Sequence, residues 1–495
     1  MSSMRARTPA LDPGNVGTSN RQPVRASWPV ELLAGTALFC CLYYVISINA
    51  KILGEMDIPP SAAIAATFLS LIFGNLSGAI WTRTGLMIAP AIGISTFVSN
   101  FVQTVSTKSA TIFGVGDAML ACAFAGVALV LTSWKTDLRS RIIDEMPDAV
   151  RRGVIAAIGA LLVYEAFKQY SEITKPQGYV DQLLGIFVIA IGLAVLFGFF
   201  LVRHAFSAAA YGVWTNIVRF GLRIEFVLVI ALSSVVLHLF EPSYINSLPL
   251  KTELSWIWLG PGVWSSFHFH AGTLGGWIVL AVVVWFIVLT DIPGTPNVVL
   301  PPNDQIDGRD RAVRTGFIND SVAALLSPFL GTTPTIYYAE NQILKEFGCY
   351  GRLVGLTAVF WFSLVFIIIG SSTWWGFSTL SLERVLPPFA VLPALLYIGL
   401  LIISVSLFSP TLQPDQYAKK RSIGSCVPTA VSVLSTPIIG LEFAFPLTVI
   451  SYWIITGMMR GRDTSEHGRS FVWITWGAGV QLVIMLLIRT VLRHT

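Results

Sequence analysis

Apolar stretches of about 20 residues, the length that crosses a bilayer as a helix, recur along this chain from Glu31 onward. In hydrocarbon no water can satisfy a backbone N–H or C=O, so each stretch is expected to close its hydrogen bonds within itself as an α-helix. Hydrophobic residues make up 54% of the 495 and charged residues only 12%, too little polar surface to coat a soluble globule. The expected fold is therefore an all-α polytopic membrane protein.

Continuous spans read at Glu31–Leu53, Ser61–Ile80, Thr111–Ser133, Val154–Phe167, Leu183–Val202, Phe226–Phe240, Leu274–Thr290, Thr315–Leu330, Val354–Ser371 and Phe389–Leu407. Ile423–Ile455 reads as two short spans around Pro437-Ile-Ile-Gly440, and Phe471–Leu492 as a last one. Two further segments are broken. Gly85-Leu-Met-Ile-Ala-Pro-Ala-Ile-Gly-Ile-Ser-Thr96 and Gly331-Thr-Thr-Pro-Thr-Ile-Tyr-Tyr-Ala-Glu-Asn341 are both interrupted by Pro, Gly and hydroxyl residues. Pro90 lies about 60 residues after Glu31, and Pro334 about 60 after Leu274, as two homologous halves of a transporter would place them. Together the spans and breaks make about fourteen segments.

Clusters of Lys and Arg in short loops mark the cytoplasmic side. Arg5, Arg7, Arg21 and Arg25 precede the first span. Lys135, Arg139, Arg141, Arg151 and Arg152 follow, then Arg309, Arg311 and Arg314, then Lys419, Lys420 and Arg421, then Arg460 and Arg462. Both termini are expected in the cytoplasm of a multi-pass cell-membrane protein. The excess of 32 basic over 27 acidic residues is read as topology and contact with anionic lipid, not as a nucleic-acid footprint. Residues 1–28 read as a disordered tail without the apolar core of a cleavable signal. The five cysteines form neither a disulfide framework nor a metal cluster. No cofactor is expected.

Carboxylates are costly inside a membrane and are placed there for function by default. Asp291 ends the run Leu274–Thr290 and is followed by Ile-Pro-Gly-Thr-Pro296, where the helix is expected to break. Glu340 lies in the second broken segment, after Tyr337 and Tyr338, whose rings could stack on a planar ligand, and before Asn341. A carboxylate taken out of water is disfavoured in its charged form, so Asp291 and Glu340 are candidate proton carriers. Asp320 and Glu442 read as helix-end or scaffold residues.

Two other classes were weighed. Gly114-Val-Gly-Asp117 has the Gly-x-Gly-Asp form of intramembrane aspartyl proteases, but no Tyr-Asp precedes it and Asp117 opens its span. An anion or organic-acid transporter of the same inverted-repeat design would be expected to avoid two carboxylates in its site.

Glu31-Leu-Leu-Ala-Gly-Thr-Ala-Leu-Phe39 to Tyr44, with Asn49 and Ile52-Leu53, resembles the first span of the AzgA-like guanine/hypoxanthine permeases, a branch of the nucleobase/ascorbate (xanthine/uracil) transporter family. The likeness continues in order through Ala66-Thr67, Ala89-Pro-Ala-Ile-Gly93, Ile142-Ile-Asp-Glu-Met-Pro147, Asp291-Ile-Pro-Gly-Thr295, Gly331-Thr332, Tyr338, Glu340 and Gly355-Leu-Thr-Ala358. The resemblance implies two inverted repeats of seven segments, here 29–250 and 251–495, folded into core and gate domains. It further implies third and tenth segments that begin as short strands, a homodimer, and proton-coupled uptake by rocking or elevator motion. Its ligand site maps onto Asp291 and Glu340, with Thr295, Asn341 and Ser95 adding hydrogen bonds. Backbone N–H groups near Ala91, Gly93 and Thr335 and the rings of Tyr337 and Tyr338 complete it. The chain departs from that branch at Val288, Ser95, Ala91 and Ala50, where the branch has Asp, Asn, Gly and Pro. The expected substrate is therefore a nucleobase-like planar compound, left open between purine and uracil/xanthine types.

Overall fold

The computed structural model describes residues 28–108, 113–135, 139, 147–173, 182–206, 225–243, 274–290, 296–301, 309–342, 344, 347–374, 387–408, 423–439 and 446–454, with 475, 479 and 482. The first apolar stretch forms two helices, α1 (Trp28–Leu42) and α2 (Tyr44–Gly54), separated by a turn at Tyr43. α3 (Pro60–Trp81) opens on Pro60, whose missing N–H falls where a helix has no intrahelical acceptor for it. Strand β1 (Ile88–Pro90) and helix α4 (Ile92–Lys108) follow, then α5 (Val115–Lys135), α6 (Asp148–Ile173), α7 (Gln182–Phe206) and α8 (Glu225–Phe240). In the second half come α9 (Leu274–Thr290), α10 (Arg309–Leu330), strand β2 (Thr335–Tyr337) and a 3-10 turn at Ala339–Gln342. α11 (Arg352–Trp374), α12 (Pro388–Phe408) and α13 (Ile423–Ile439) follow them.

Among the described residues four helical stretches are long and apolar enough to cross a membrane: Trp28–Gly54, Pro60–Trp81, Val115–Trp134 and Arg352–Gly370. Leu183–Gly198, Leu228–Phe240, Leu274–Leu289 and Phe389–Ser404 are shorter apolar helices. α9 coincides with its expected span, whereas α6 begins at 148 rather than 154 and ends at 173 rather than 167. Its polar ends continue the helix past the point where hydropathy falls.

Packing sorts the helices into two groups. α1 to α5 pack with α9, α10, α11 and both strands, while α6, α7 and α8 pack with α12 and α13. Each group thus draws on both halves of the sequence. Contacts between them are sparse, α8 touching α1 and α12 touching α2. In the first group α5 lies so close to α10 that a Cβ on Gly126 would stand 2.5 Å from the Leu325 Cα.

Arg139 corrects the charge reading. It was expected in a solvated basic loop, yet its side chain is 1% exposed and pairs with Asp320, 0% exposed, at 2.6 Å. Its Nη2 donates to the Val288 carbonyl at 3.1 Å, and its guanidinium lies 4.8 Å over the Phe317 ring. Val288 is in the last turn of α9, where carbonyls lack intrahelical donors and a cation is favoured by the helix dipole. Asp320 is accordingly a scaffold residue, as its sequence context suggested. Among the described residues Cys41, Cys122 and Cys349 are buried and Cys40 half-buried, none of them in a disulfide.

Candidate functional site

The two broken segments meet. β1 and β2 pair antiparallel, with Ile88 opposite Tyr337, Ala89 opposite Ile336 and Pro90 opposite Thr335, one strand from each half of the chain. Local chemistry explains both breaks. α10 ends in a Schellman motif on Gly331, at φ +92°, in which Gly331 N–H donates to Pro328 O and Thr332 N–H to Ser327 O, each at 3.1 Å. Pro334 then disfavours helical backbone at Thr333, and Pro90 has no N–H to continue a helix.

So short a ribbon leaves main-chain groups that lipid cannot satisfy, and two asparagines serve them. Met87 N–H donates to Asn341 Oδ1 at 2.8 Å, and Asn341 Nδ2 donates back to Met87 O at 2.8 Å. Asn75 of α3 does the same for Ile88, at 2.7 and 2.8 Å. Tyr338 Oη donates to Pro90 O at 2.6 Å, and Tyr337 Oη to Gly316 O at 3.0 Å. Asn75-Leu-Ser77 and Asn319-Asp-Ser321 match glycosylation signals, but both asparagines are buried, and Asn319 bonds Ser77 and the Gly74 carbonyl.

A second polar cluster ties the breaks to the first span. Asn49 donates to Thr67 Oγ1 at 2.8 Å and to Thr332 Oγ1 at 2.9 Å, and accepts from Ser95 Oγ at 2.7 Å. Ser95 and Thr333 share a hydrogen bond of 2.5 Å. All five side chains are fully buried.

Glu340 stands in the 3-10 turn, half-buried, and its Oε1 accepts from Tyr44 Oη at 2.7 Å. Thr335 is fully buried, and its hydroxyl has no hydrogen-bond partner among the described residues. Ala91 N–H is taken by Pro334 O, 3.2 Å away, and the first turn of α4, including half-buried Gly93, begins beside it. A helix start leaves its first N–H groups without intrahelical acceptors and carries partial positive charge. The carboxylate past one end of the ribbon, and the hydroxyl and helix start at its other end, are groups of the kind that hold a small polar ligand presenting both donors and acceptors.

Of the residues expected at the site, Glu340, Asn341, Ser95, Ala91, Gly93, Thr335, Tyr337 and Tyr338 lie on or beside this ribbon. Asp291 and Thr295 fall outside the described residues. Asn341, Tyr337 and Tyr338 direct their polar atoms at main-chain carbonyls and N–H groups, and Ser95 bonds Asn49 and Thr333. Sequence reasoning had not given Tyr44, Asn75 and Arg139 these roles. Each is a polar side chain in or beside an apolar stretch, a signal available for Asn75 but hidden for Arg139 by its basic neighbours. Asp117, of the Gly-x-Gly-Asp motif, is the third residue of α5. Its Oδ2 accepts from the Gly114 N–H at 2.9 Å and its Oδ1 from Trp277 Nε1 at 2.9 Å. The bond to Gly114 is the back-reaching half of a capping box, from the third residue of the helix to the N–H of its N-cap.

The model of the xanthine/uracil permease family matches residues 30–370. The guanine/hypoxanthine permease PbuO of Bacillus subtilis is 23% identical over 337 residues, covering 66% of this chain and 72% of its own length. The guanine/hypoxanthine permease GhxP of Escherichia coli O157:H7 is 26% identical over 385 residues, 76% of this chain and 78% of its own. The adenine permease AdeQ of Escherichia coli K12 is 24% identical over 385 residues, 76% and 77% respectively. In three dimensions the chain is similar to the transmembrane domain of a cyanobacterial bicarbonate transporter, BicA, with a TM-score of 0.50 and 12% identity over 88% of this chain and 97% of that one. It is also similar to SLC26A9, with a TM-score of 0.51 and 13% identity over 88% and 66%. At those identities the likeness is one of fold, a membrane-transporter fold.

Proposed function

Because the chain belongs to the xanthine/uracil permease family and is a membrane permease rather than an enzyme, we propose that it imports a nucleobase-like planar substrate by proton symport. The substrate is a purine or a uracil/xanthine-type base, in keeping with relatives named for guanine, hypoxanthine and adenine. The observation that carries the reading is Glu340. It is a half-buried carboxylate beside the ribbon where two strand-broken segments pair, with the unpartnered Thr335 hydroxyl and the start of α4 at the other end of that ribbon. A nucleobase edge offers N–H donors to the carboxylate and carbonyl or ring-nitrogen acceptors to the hydroxyl and helix N–H groups. Asp291 is assigned the second carboxylate of the site and Thr295 a further hydroxyl, with protons carried by the pair. Tyr337 and Tyr338 hold the ribbon that presents the site.

The two packing groups support an elevator or rocking motion. The ribbon-bearing helices form the core, and α6, α7, α8, α12 and α13 the gate. We assign the chain about fourteen segments in two inverted repeats, a homodimeric assembly, and a place in the cell membrane with both termini cytoplasmic. The test is uptake of radiolabelled uracil, xanthine, hypoxanthine, guanine and adenine in a host without its own nucleobase carriers. Wild type is compared with Glu340→Gln, with and without a protonophore. Uptake of at least one base, lost on both treatments, is expected. Good surface expression with uptake of none contradicts the assignment.

A further inference from the structure

We propose that Tyr44 is a positioning residue for Glu340, an inference that rests on reading Glu340 as the ligand carboxylate. Tyr44 opens α2 just past the turn at Tyr43, is 3% exposed, and donates to Glu340 Oε1 at 2.7 Å across 296 residues of sequence. Among the described residues no other side chain donates to Glu340. A half-exposed glutamate on a four-residue 3-10 turn has three side-chain torsions and no packed helix of its own to restrict them. One short charge-assisted bond to a buried phenol selects an orientation, because such bonds are stronger and more directional than neutral ones. With Oε1 engaged, Oε2 is the oxygen left for a ligand N–H.

The phenol comes from the helix best placed to define the site. One turn further along α2, Asn49 bonds Ser95 in the first turn of α4 and Thr332 at the end of α10. α2 therefore holds the start of the third segment through Asn49 and the carboxylate of the tenth through Tyr44. Both halves of the site take their register from one helix. A binding group fixed before the ligand arrives does not have to be ordered by it, which improves affinity without adding a contact.

The experiment compares wild type, Tyr44→Phe, Glu340→Gln and the double variant. Phe keeps the ring and removes only the hydroxyl. Initial uptake of radiolabelled hypoxanthine and of uracil is measured alongside thermal unfolding of the purified full-length protein in detergent. Tyr44→Phe is expected to raise KM about ten-fold, as loss of a bond to a charged group does, with Vmax per folded transporter retained. In the unfolding cycle the two substitutions are expected to be non-additive, because Tyr44→Phe removes the donor and Glu340→Gln removes the charge that strengthens the same bond. An unchanged KM with lower protein yield means a purely structural tyrosine and overturns the proposal, as does additivity in the unfolding cycle. If wild type takes up neither of these but takes up guanine, adenine or xanthine, KM is compared on that base, and if it takes up none of the five the functional reading fails instead. The unfolding cycle then decides for Tyr44 alone, coupling upholding its hold on Glu340 and additivity refuting it.

Discussion

Replacing Asn341 by Leu separates a residue that builds the site from one that touches the ligand. Leu has the same γ-branched shape and number of side-chain heavy atoms as Asn, with bulkier methyls in place of the amide groups, so the substitution removes hydrogen bonds without opening a cavity. In the structure Asn341 accepts from the Met87 N–H and donates to the Met87 carbonyl, both at 2.8 Å and fully buried. The Met87 carbonyl keeps the Tyr338 N–H at 3.4 Å, so the group left unpaired is the Met87 N–H, and stranding one buried donor costs about 1–3 kcal/mol. Each 1.4 kcal/mol is a factor of ten in the folded ratio, enough to be plain in a melting curve of detergent-purified protein. Asn75→Leu, which breaks the equivalent clamp on Ile88, is expected to cost a similar amount. The assay is intrinsic-fluorescence melting of both variants beside wild type, with KM for uptake measured on the folded fraction. If Asn341→Leu melts with wild type while KM rises steeply, Asn341 faces the ligand and the reasoning is refuted.

Three further outcomes follow from the same geometry. Arg139→Met or Asp320→Asn alone is expected to destabilise by about 3–5 kcal/mol, because each strands the other's buried polar group. The double variant Arg139→Met/Asp320→Leu should recover most of that, as read by monodisperse yield and melting. The Glu55–Lys168 pair, at 3.2 Å and half-exposed, ties α2 of the core to α6 of the gate, and its loss through Lys168→Met should cost at most about 1 kcal/mol in a denaturation series. A short, reducible bis-thiol cross-linker joining Glu55→Cys to Lys168→Cys, spanning the length of the two side chains it replaces, should stop uptake and release it on reduction. Undiminished uptake by the cross-linked protein contradicts core-against-gate motion.

The class and the breaks were legible because bilayer physics leaves so few options. Apolar runs of bilayer length become helices, and Pro90 and Pro334, set among Gly and hydroxyl residues, disfavour continuing one. That the breaks begin as short strands came with the family resemblance rather than from the residues alone, and that the two strands pair antiparallel came only from the folded chain. What stayed hidden was the division of labour among polar residues. Asn341 beside Glu340 looks like a ligand group in sequence, because nothing local announces that Met87, 254 positions away, needs its amide. Arg139 looked like a loop charge for the same reason, since its partner Asp320 lies far along the chain. The Tyr44–Glu340 bond likewise depends on the first and tenth segments being neighbours, which only the folded chain reveals. Asn75, a lone amide in an apolar helix, carried a signal that a partner was needed, but the sequence did not say which.

The central claim, proton-driven uptake of a nucleobase through Glu340, is tested most directly in proteoliposomes of the purified full-length chain. An acid-outside pH gradient is imposed and accumulation of radiolabelled hypoxanthine, guanine, adenine, xanthine and uracil is followed. The account predicts that at least one base accumulates above its external concentration, that the overshoot collapses when the gradient is dissipated, and that Glu340→Gln shows none. Accumulation of no base, or accumulation indifferent to the gradient and to Glu340→Gln, contradicts it.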